Sequence, residues 1–404
     1  MRDGMKRLLQ LLGRKELLSV FVMIFIADLV VGVFSPTFSL YAVGLGASLT
    51  FIGLLSSVVG LTRILASIPI GMISDAVGRK GVLLSGMLVL ALSAYLYAIV
   101  TNPAWLLPIR VLTGLVISST FFIGMAYVGD MVEKRDRGLV SGIYTTCMGL
   151  GFTVGSWLGG HLADSIGYAS TFRWTAVAAL VGSAIAWWGL AGRSRLRTRT
   201  GPPVSPFGKL GLLARRPDLL AASLGYLLII LMFDAAIVNF FPLYAATLSI
   251  GQAAIGSMLA LRALASTSVR LPTGLLTTHL PSQRLMVAAL ILGMVMVFSI
   301  CCLADPVLLT LVLAGEGICF GMYLVSAQTY VTERFEESDR GTAMGVYSMT
   351  GSIGSLVGPF VLGAVADFWG LQTVFLVTAG TVLVGIMLFL YMLKRPVPIQ
   401  SYQT

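Results

Sequence analysis

The chain has 404 residues, 57% of them hydrophobic and only 11% charged, where soluble domains carry about 25% charged residues. A mean hydropathy of +0.92 means that apolar residues run almost the whole length, which sets aside a water-soluble globular domain. The net charge of +10 needs no nucleic acid to explain it, because one membrane face rich in Lys and Arg accounts for it.

A bilayer core takes about 20 apolar residues per helix. In chain order the predicted spans are 17–41, 50–74, 81–100, 104–129, 138–162, 170–191, 219–243, 252–277, 284–303, 307–331, 341–365 and 372–393. The basic stretch from Met1 to Glu16 precedes an apolar run long enough to cross the bilayer, so it reads as the flank of a span rather than a cleavable leader. Short connectors such as Thr101-Asn102-Pro103 and Ala304-Asp305-Pro306 separate the helices.

One set of loops holds Arg79 and Lys80, then Lys134, Arg135 and Arg137, then Arg193, Arg195, Arg197 and Arg199, then Arg334 and Arg340, then Lys394 and Arg395. The alternate loops, near Gly46, Asn102, Gly167, Gly251, Asp305 and Gly370, hold almost none. The alternation places both termini in the cytoplasm of a prokaryotic inner membrane. The polar stretch 193–218, with Gly201-Pro202-Pro203, reads as a linker between an N-terminal bundle, 1–192, and a C-terminal bundle, 219–404. Its arginines either rest on anionic headgroups or lie in an ordinary solvated loop.

The two bundles are copies. Tyr127 to Phe172 aligns with Tyr330 to Phe375 without a gap, placing Asp136-Arg137-Gly138 on Asp339-Arg340-Gly341, Tyr144 on Tyr347, Gly155 on Gly358 and Asp164 on Asp367. The same offset pairs Gly53 with Gly256, Pro69 with Pro272 and Gly114 with Gly317. Six spans per copy is an even number, so both halves sit the same way up, with a site expected between them near the midplane. The expected fold is all-α: twelve transmembrane helices in two pseudo-symmetric six-helix bundles.

Gly71-Met72-Ile73-Ser74-Asp75-Ala76-Val77-Gly78-Arg79-Lys80 joins spans two and three. Gly78 permits a tight turn, and Asp75 is free to pair with a cation or a helix N-terminus. With twelve spans and a two-fold repeat, this string resembles the signature loop of the major facilitator superfamily. That resemblance implies a latch at the cytoplasmic ends, formed by Gly71, Asp75, Gly78, Arg79 and Lys80 with Asp130 and Arg137 as partners. The second copy, Gly274 to Arg284, has lost the acid. Arg110 to Gly114 is similar to an R-x-x-x-G element of the superfamily's drug:proton antiporters. Gly151, Gly155, Gly159 and Gly160 are similar to their glycine-rich span five, although Ser156 stands where they carry proline. By that analogy span five packs on span eight; small-xxx-small helix packing alone also accounts for the glycines.

Acids well inside spans are Asp28, Asp234 and Glu316, and the arginines there are Arg63, Arg110, Arg262 and Arg270. Charges at membrane depth are functional candidates by default. Asp234, Arg262 and Glu316 lie about 14 Å from the outer end of their spans at 1.5 Å per residue, so one cluster is expected. Asp28 is expected to answer to Arg63 or Arg110, and Arg270 to snorkel toward the cytoplasmic face. Structural ion pairs are the competing reading. Phe122, Tyr127, Phe233, Phe240 and Tyr323 offer aromatic faces to a cation, or else belong to the core or the lipid surface.

Cys147, Cys301, Cys302 and Cys319 lie in apolar stretches without zinc-ligand spacing, and His161 and His279 are far apart. No metal, cofactor or catalytic constellation emerges, so an enzyme is not expected. The resemblance implies a monomeric secondary transporter that exports a small amphipathic or lipophilic cation in exchange for protons. An importer, uniporter or lipid translocator of the same fold, handling an anion through its arginines, is the alternative. A receptor or scaffold lacks a large soluble domain through which to signal.

Overall fold

The computed structural model describes residues 13–133, 136–190, 216–335 and 339–394. Most of the predicted linker, together with Lys134, Arg135, Arg193 to Arg199 and Arg395, lies outside the described residues. The N-terminal half contains α1 (Lys15–Gly44), α2 (Leu49–Val77), α3 (Arg79–Ile99) and α4 (Pro103–Met131). It ends with the run Arg137–Gly189, which breaks at Gly167, where φ is 76°, into α5 (137–166) and α6 (168–189). The C-terminal half contains α7 (Pro217–Thr247), α8 (Gln252–Leu276), α9 (Ser282–Ile300), α10 (Pro306–Arg334), α11 (Arg340–Trp369) and α12 (Leu371–Lys394). Among the described residues, nine of these are long and apolar enough to cross a membrane. The other three are α5, which is rich in Gly, Ser and Thr, α6, which carries Arg173, and α8, which carries Arg262 and Arg270.

The repeat is visible in the backbone. Leu49 and Gln252, Arg79 and Ser282, Pro103 and Pro306, and Arg137 and Arg340 each begin a helix and are each separated by 203 residues. Gly167 and Gly370 share that offset, and both hold positive φ, 76° and 88°, at the turn into the last helix of a half. Gly78 also has positive φ, 92°, and joins α2 to α3 with no spare residue, as the tight-turn expectation requires.

The halves meet along α2 with α11 and along α5 with α8. A Cβ at Gly60 would lie 2.9 Å from the backbone nitrogen of Leu356, and one at Gly160 would lie 2.7 Å from the Cα of Gly256. Such backbone approach is what small residues permit in a bilayer. At the end bearing Gly46, Gly251 and Gly370 the seam is closed. There Asp367 accepts hydrogen bonds from the Leu49 and Thr50 amides, at 3.0 and 2.8 Å, and from the Thr50 hydroxyl. Gln252 of α8 donates to Tyr168 of α6 at the same end. Toward the Gly78 end α2 emerges: Ser67, Ile68 and Pro69 are consecutive exposed residues, which covers most of a helical turn. Leu271 on α8 is 75% exposed at that end. The halves therefore part toward the loops where the sequence concentrates Lys and Arg.

Candidate functional site

A cavity of about 200 Å³ lies between the halves. From the N-terminal half it is lined by Ser35 and Phe38 of α1, Arg63 of α2, Tyr97 of α3, Arg110 of α4 and Phe152 of α5. From the C-terminal half come Phe233, Asp234 and Asn239 of α7, and Ser355 of α11. Two irregular turns shape it. Residues Leu231–Val238 of α7 and Ile117–Phe122 of α4 wind as π-helix, which inserts extra backbone into a turn and re-aims side chains. Phe233, Asp234 and Ile117 reach the cavity from these turns.

Arg110 stacks on Phe38, its guanidinium centre 3.3 Å from the ring centroid. The Tyr97 hydroxyl lies beside it and pairs with Thr113 at 3.3 Å. Arg63 donates through Nη2 to Ser352 of α11 at 2.9 Å, reaching across the seam. Both arginines keep a buried Nε without a hydrogen-bond partner. Asp234 is half-buried, and its charge acts on Arg110. Its backbone carbonyl accepts from Asn239 Nδ2 at 2.5 Å, while Asn239 Oδ1 accepts from Ser56 of α2.

The expected cluster of Asp234, Arg262 and Glu316 forms only in part. Arg262 Nε donates to Glu316 Oε2 at 2.5 Å, with the two side chains 3% and 0% exposed. The guanidinium is covered by Phe233 at 4.1 Å and Phe320 at 5.1 Å. Asp234 is directed to the cavity instead, because its π-helical turn rotates it away from α8.

Asp28 does not meet Arg63 or Arg110. It continues the Val31, Ser35, Phe38 stripe of α1 by one turn but lies outside the cavity lining, buried against Gly151. The cation whose charge reaches it is Arg270 of α8. Arg270 therefore departs from the expected snorkelling: it points across the seam and donates to the Thr145 carbonyl of α5 at 3.2 Å.

The glycines of α5 divide between two faces. Gly151, Gly155 and Gly159, four residues apart, press on the α1 backbone at Phe25, Leu29 and Val33. Gly149 and Gly160 are the ones that face α8, at Thr267 and Gly256. The expectation that Gly155 meets α8 is thus corrected by helical phase. Of the five aromatics singled out in the sequence only Phe233 lines the cavity. Tyr127, Phe240 and Tyr323 are core and Phe122 is exposed. The walls are built by Phe34, Phe38, Tyr97 and Phe152, which occupy the inward phase of their helices.

The basic loop is assembled within one half. Arg79 pairs with Asp130 at 2.8 Å, Arg137 donates to the Gly129 carbonyl at 3.2 Å, and Lys80 caps the end of α6 through the Trp187 and Leu190 carbonyls at 2.8 and 2.7 Å. Asp75 is exposed and makes no ion pair among the described residues. Gly71 has open space around it.

Asn239, Ser56, Tyr97 and Phe38 belong to the site although the sequence does not single them out. A lone Asn in the apolar run 219–243 is a signal for the first. The π-helical turns have no comparable signature in composition or periodicity.

The family model described as Major Facilitator Superfamily matches residues 20–314 and 222–404. An uncharacterized MFS-type transporter of Methanocaldococcus jannaschii is 25% identical over 385 residues, 93% of this chain and 98% of that protein. The multidrug resistance protein MdtG of Dickeya zeae is 26% identical over 371 residues, 87% of each. Among solved structures, a bacterial homolog of the human lysosomal transporter Spinster, in an inward-facing and occupied conformation, superimposes with a TM-score of 0.79. It is 15% identical, over 94% of this chain and 96% of that one.

Proposed function

The chain belongs to the major facilitator superfamily, and from that premise we propose that it is a secondary active transporter that exports a small organic solute in exchange for protons. The observation that carries the reading is the cavity between the halves, sealed at the Gly46 end and lined by Arg63, Arg110 and Asp234. Rocking of the halves about this site would open it to each side in turn. The Lys- and Arg-rich loops at the parting end support an inward-open state with both termini cytoplasmic. The likeness to the multidrug resistance protein and to the antiporter elements in α4 and α5 supports export.

Coupling is assigned to Asp28. Asp28 and Arg270 lie in opposite halves, so rocking changes their separation. A carboxylate left in low dielectric without its countercharge is neutralised by a proton rather than kept charged. Return of Arg270 then drives the proton off. Asp28→Asn should abolish gradient-driven accumulation while the protein stays inserted and folded. The measurement is flux of a panel of amphipathic solutes into proteoliposomes containing a pH-sensitive dye, with and without an imposed pH gradient. Gradient-independent equilibration by the wild type would overturn proton exchange in favour of uniport. Gradient-driven transport at the wild-type rate by Asp28→Asn would move the coupling role to Asp234.

A further inference from the structure

The charge of the cavity lining bears on which solute the chain carries, an inference that rests on the transport reading. Two guanidiniums, Arg63 and Arg110, face the cavity against one carboxylate, Asp234. The remaining acids at depth are committed elsewhere: Glu316 is sealed onto Arg262, and Asp28 lies outside the lining. One positive charge is therefore in excess in a space of low dielectric. Among the described residues the Arg63 guanidinium has only a hydroxyl partner, Ser352, and both arginines hold a buried Nε–H without a partner. A planar cationic fork at the wall of a cavity matches a carboxylate, which accepts two parallel N–H bonds. The rest of the wall mixes aliphatic and hydroxyl side chains with five aromatics, of which Phe152 and Phe233 meet edge-on across the seam at 6.5 Å between centroids. Phe34, Phe38, Phe152 and Phe233 offer apolar surface to a ring in the cavity, whereas a cation would meet two guanidiniums.

We propose that the cavity is a binding site for a small aromatic monocarboxylate, its carboxylate held by Arg63 and Arg110 and its ring by the aromatic walls. This departs from the cationic cargo expected from sequence. That expectation weighs acids and arginines in the spans without the knowledge of which of them share the cavity.

The test uses three probes that share one ring system and differ in charge: 1-naphthoate, 1-naphthylmethylammonium and 1-naphthalenemethanol. Binding to the full chain in nanodiscs is followed by thermal shift and saturation-transfer NMR. The wild type should bind naphthoate at least tenfold more tightly than the ammonium probe, a comparison that needs no variant. Arg63→Gln and Arg110→Gln should each weaken naphthoate at least tenfold, and Arg63→Lys, which keeps the charge but not the fork, should weaken it less than Arg63→Gln. Tighter binding of the ammonium probe, or wild-type naphthoate affinity in both Gln variants, overturns the proposal. Proteoliposome flux of the same probes separates it from the transport reading. Gradient-driven movement of the ammonium probe without naphthoate binding leaves the transporter and removes the anion site. Naphthoate binding with the expected charge order but no flux of any probe does the reverse.

Discussion

The two halves have the same backbone frame and opposite charge chemistry. Their helices start 203 residues apart at position after position, yet Arg262 falls on Val59, Glu316 on Thr113, Arg63 on Ser266 and Arg110 on Leu313. In the C-terminal half an arginine and an acid neutralise each other under two phenyl rings, away from the cavity. In the N-terminal half Arg63 and Arg110 form no ion pair among the described residues and face the space between the halves. The shared positions, glycines and helix starts, build the fold. The unshared ones divide the charge, with the C-terminal half sealing one arginine–acid pair inside itself and the N-terminal half turning two arginines to the cavity.

Breaking the sealed pair should have the largest effect on stability. Glu316→Gln leaves Arg262 as a buried, uncompensated cation, and a loss of roughly 3–5 kcal/mol is expected for removing one partner of such a pair. A lower melting temperature in detergent with poor membrane yield would show it. Arg262→Met combined with Glu316→Leu should recover most of the loss, because an apolar replacement removes both desolvation terms together. If Glu316→Gln melts with the wild type, the pair is not a packing element and becomes a coupling candidate.

The glycines sharpen the comparison between packing within a half and packing between halves. Gly155→Leu forces a side chain into the α1 backbone, so it should lower the stability of the N-terminal half in every conformation. Gly160→Leu meets Gly256 in the other half, so it should spare folding and hinder closure at the Gly46 end. A melting curve reads the first, and spin-label distances between the outer ends of α2 and α11 read the second. Equal melting losses for both variants would mean that the halves do not move apart along α5 and α8.

Spans, repeat and loop charge are legible in the sequence because hydropathy and an ungapped 203-residue register survive in one dimension. The Arg262–Glu316 pair is also legible, since equal depth on neighbouring helices is a matter of counting residues. The reach of the Arg270 charge to Asp28 is not, because Arg270 lies in the other half, and the seam's register is set by which face of α5 meets α8. Gly155 is misplaced by sequence for the same reason: a glycine string announces close packing but not the neighbour. Asp234 escapes the expected cluster because a π-helical turn shifts its phase, and no residue pattern marks that turn.

The smallest expected effects come from the two acids at opposite ends of the α2–α11 seam. Asp367 is engaged here, accepting two amides and a hydroxyl at the start of α2, where the helix dipole adds to its attraction. Asp75 is idle. If it serves as the latch that the signature loop implies, it works only once the parted end has closed. Asp367→Asn should therefore weaken the state seen here by about 1.5 kcal/mol, the low end for hydrogen bonds to a charged group, because Asp367 is exposed. Asp75→Asn should leave that state unchanged and remove stability from its opposite. The two substitutions then shift one equilibrium in contrary directions. Thiol labelling of a single cysteine at Gly71 should fall in Asp367→Asn and rise in Asp75→Asn relative to the parent. Labelling that moves the same way in both variants would mean that the two acids do not oppose one another across the seam.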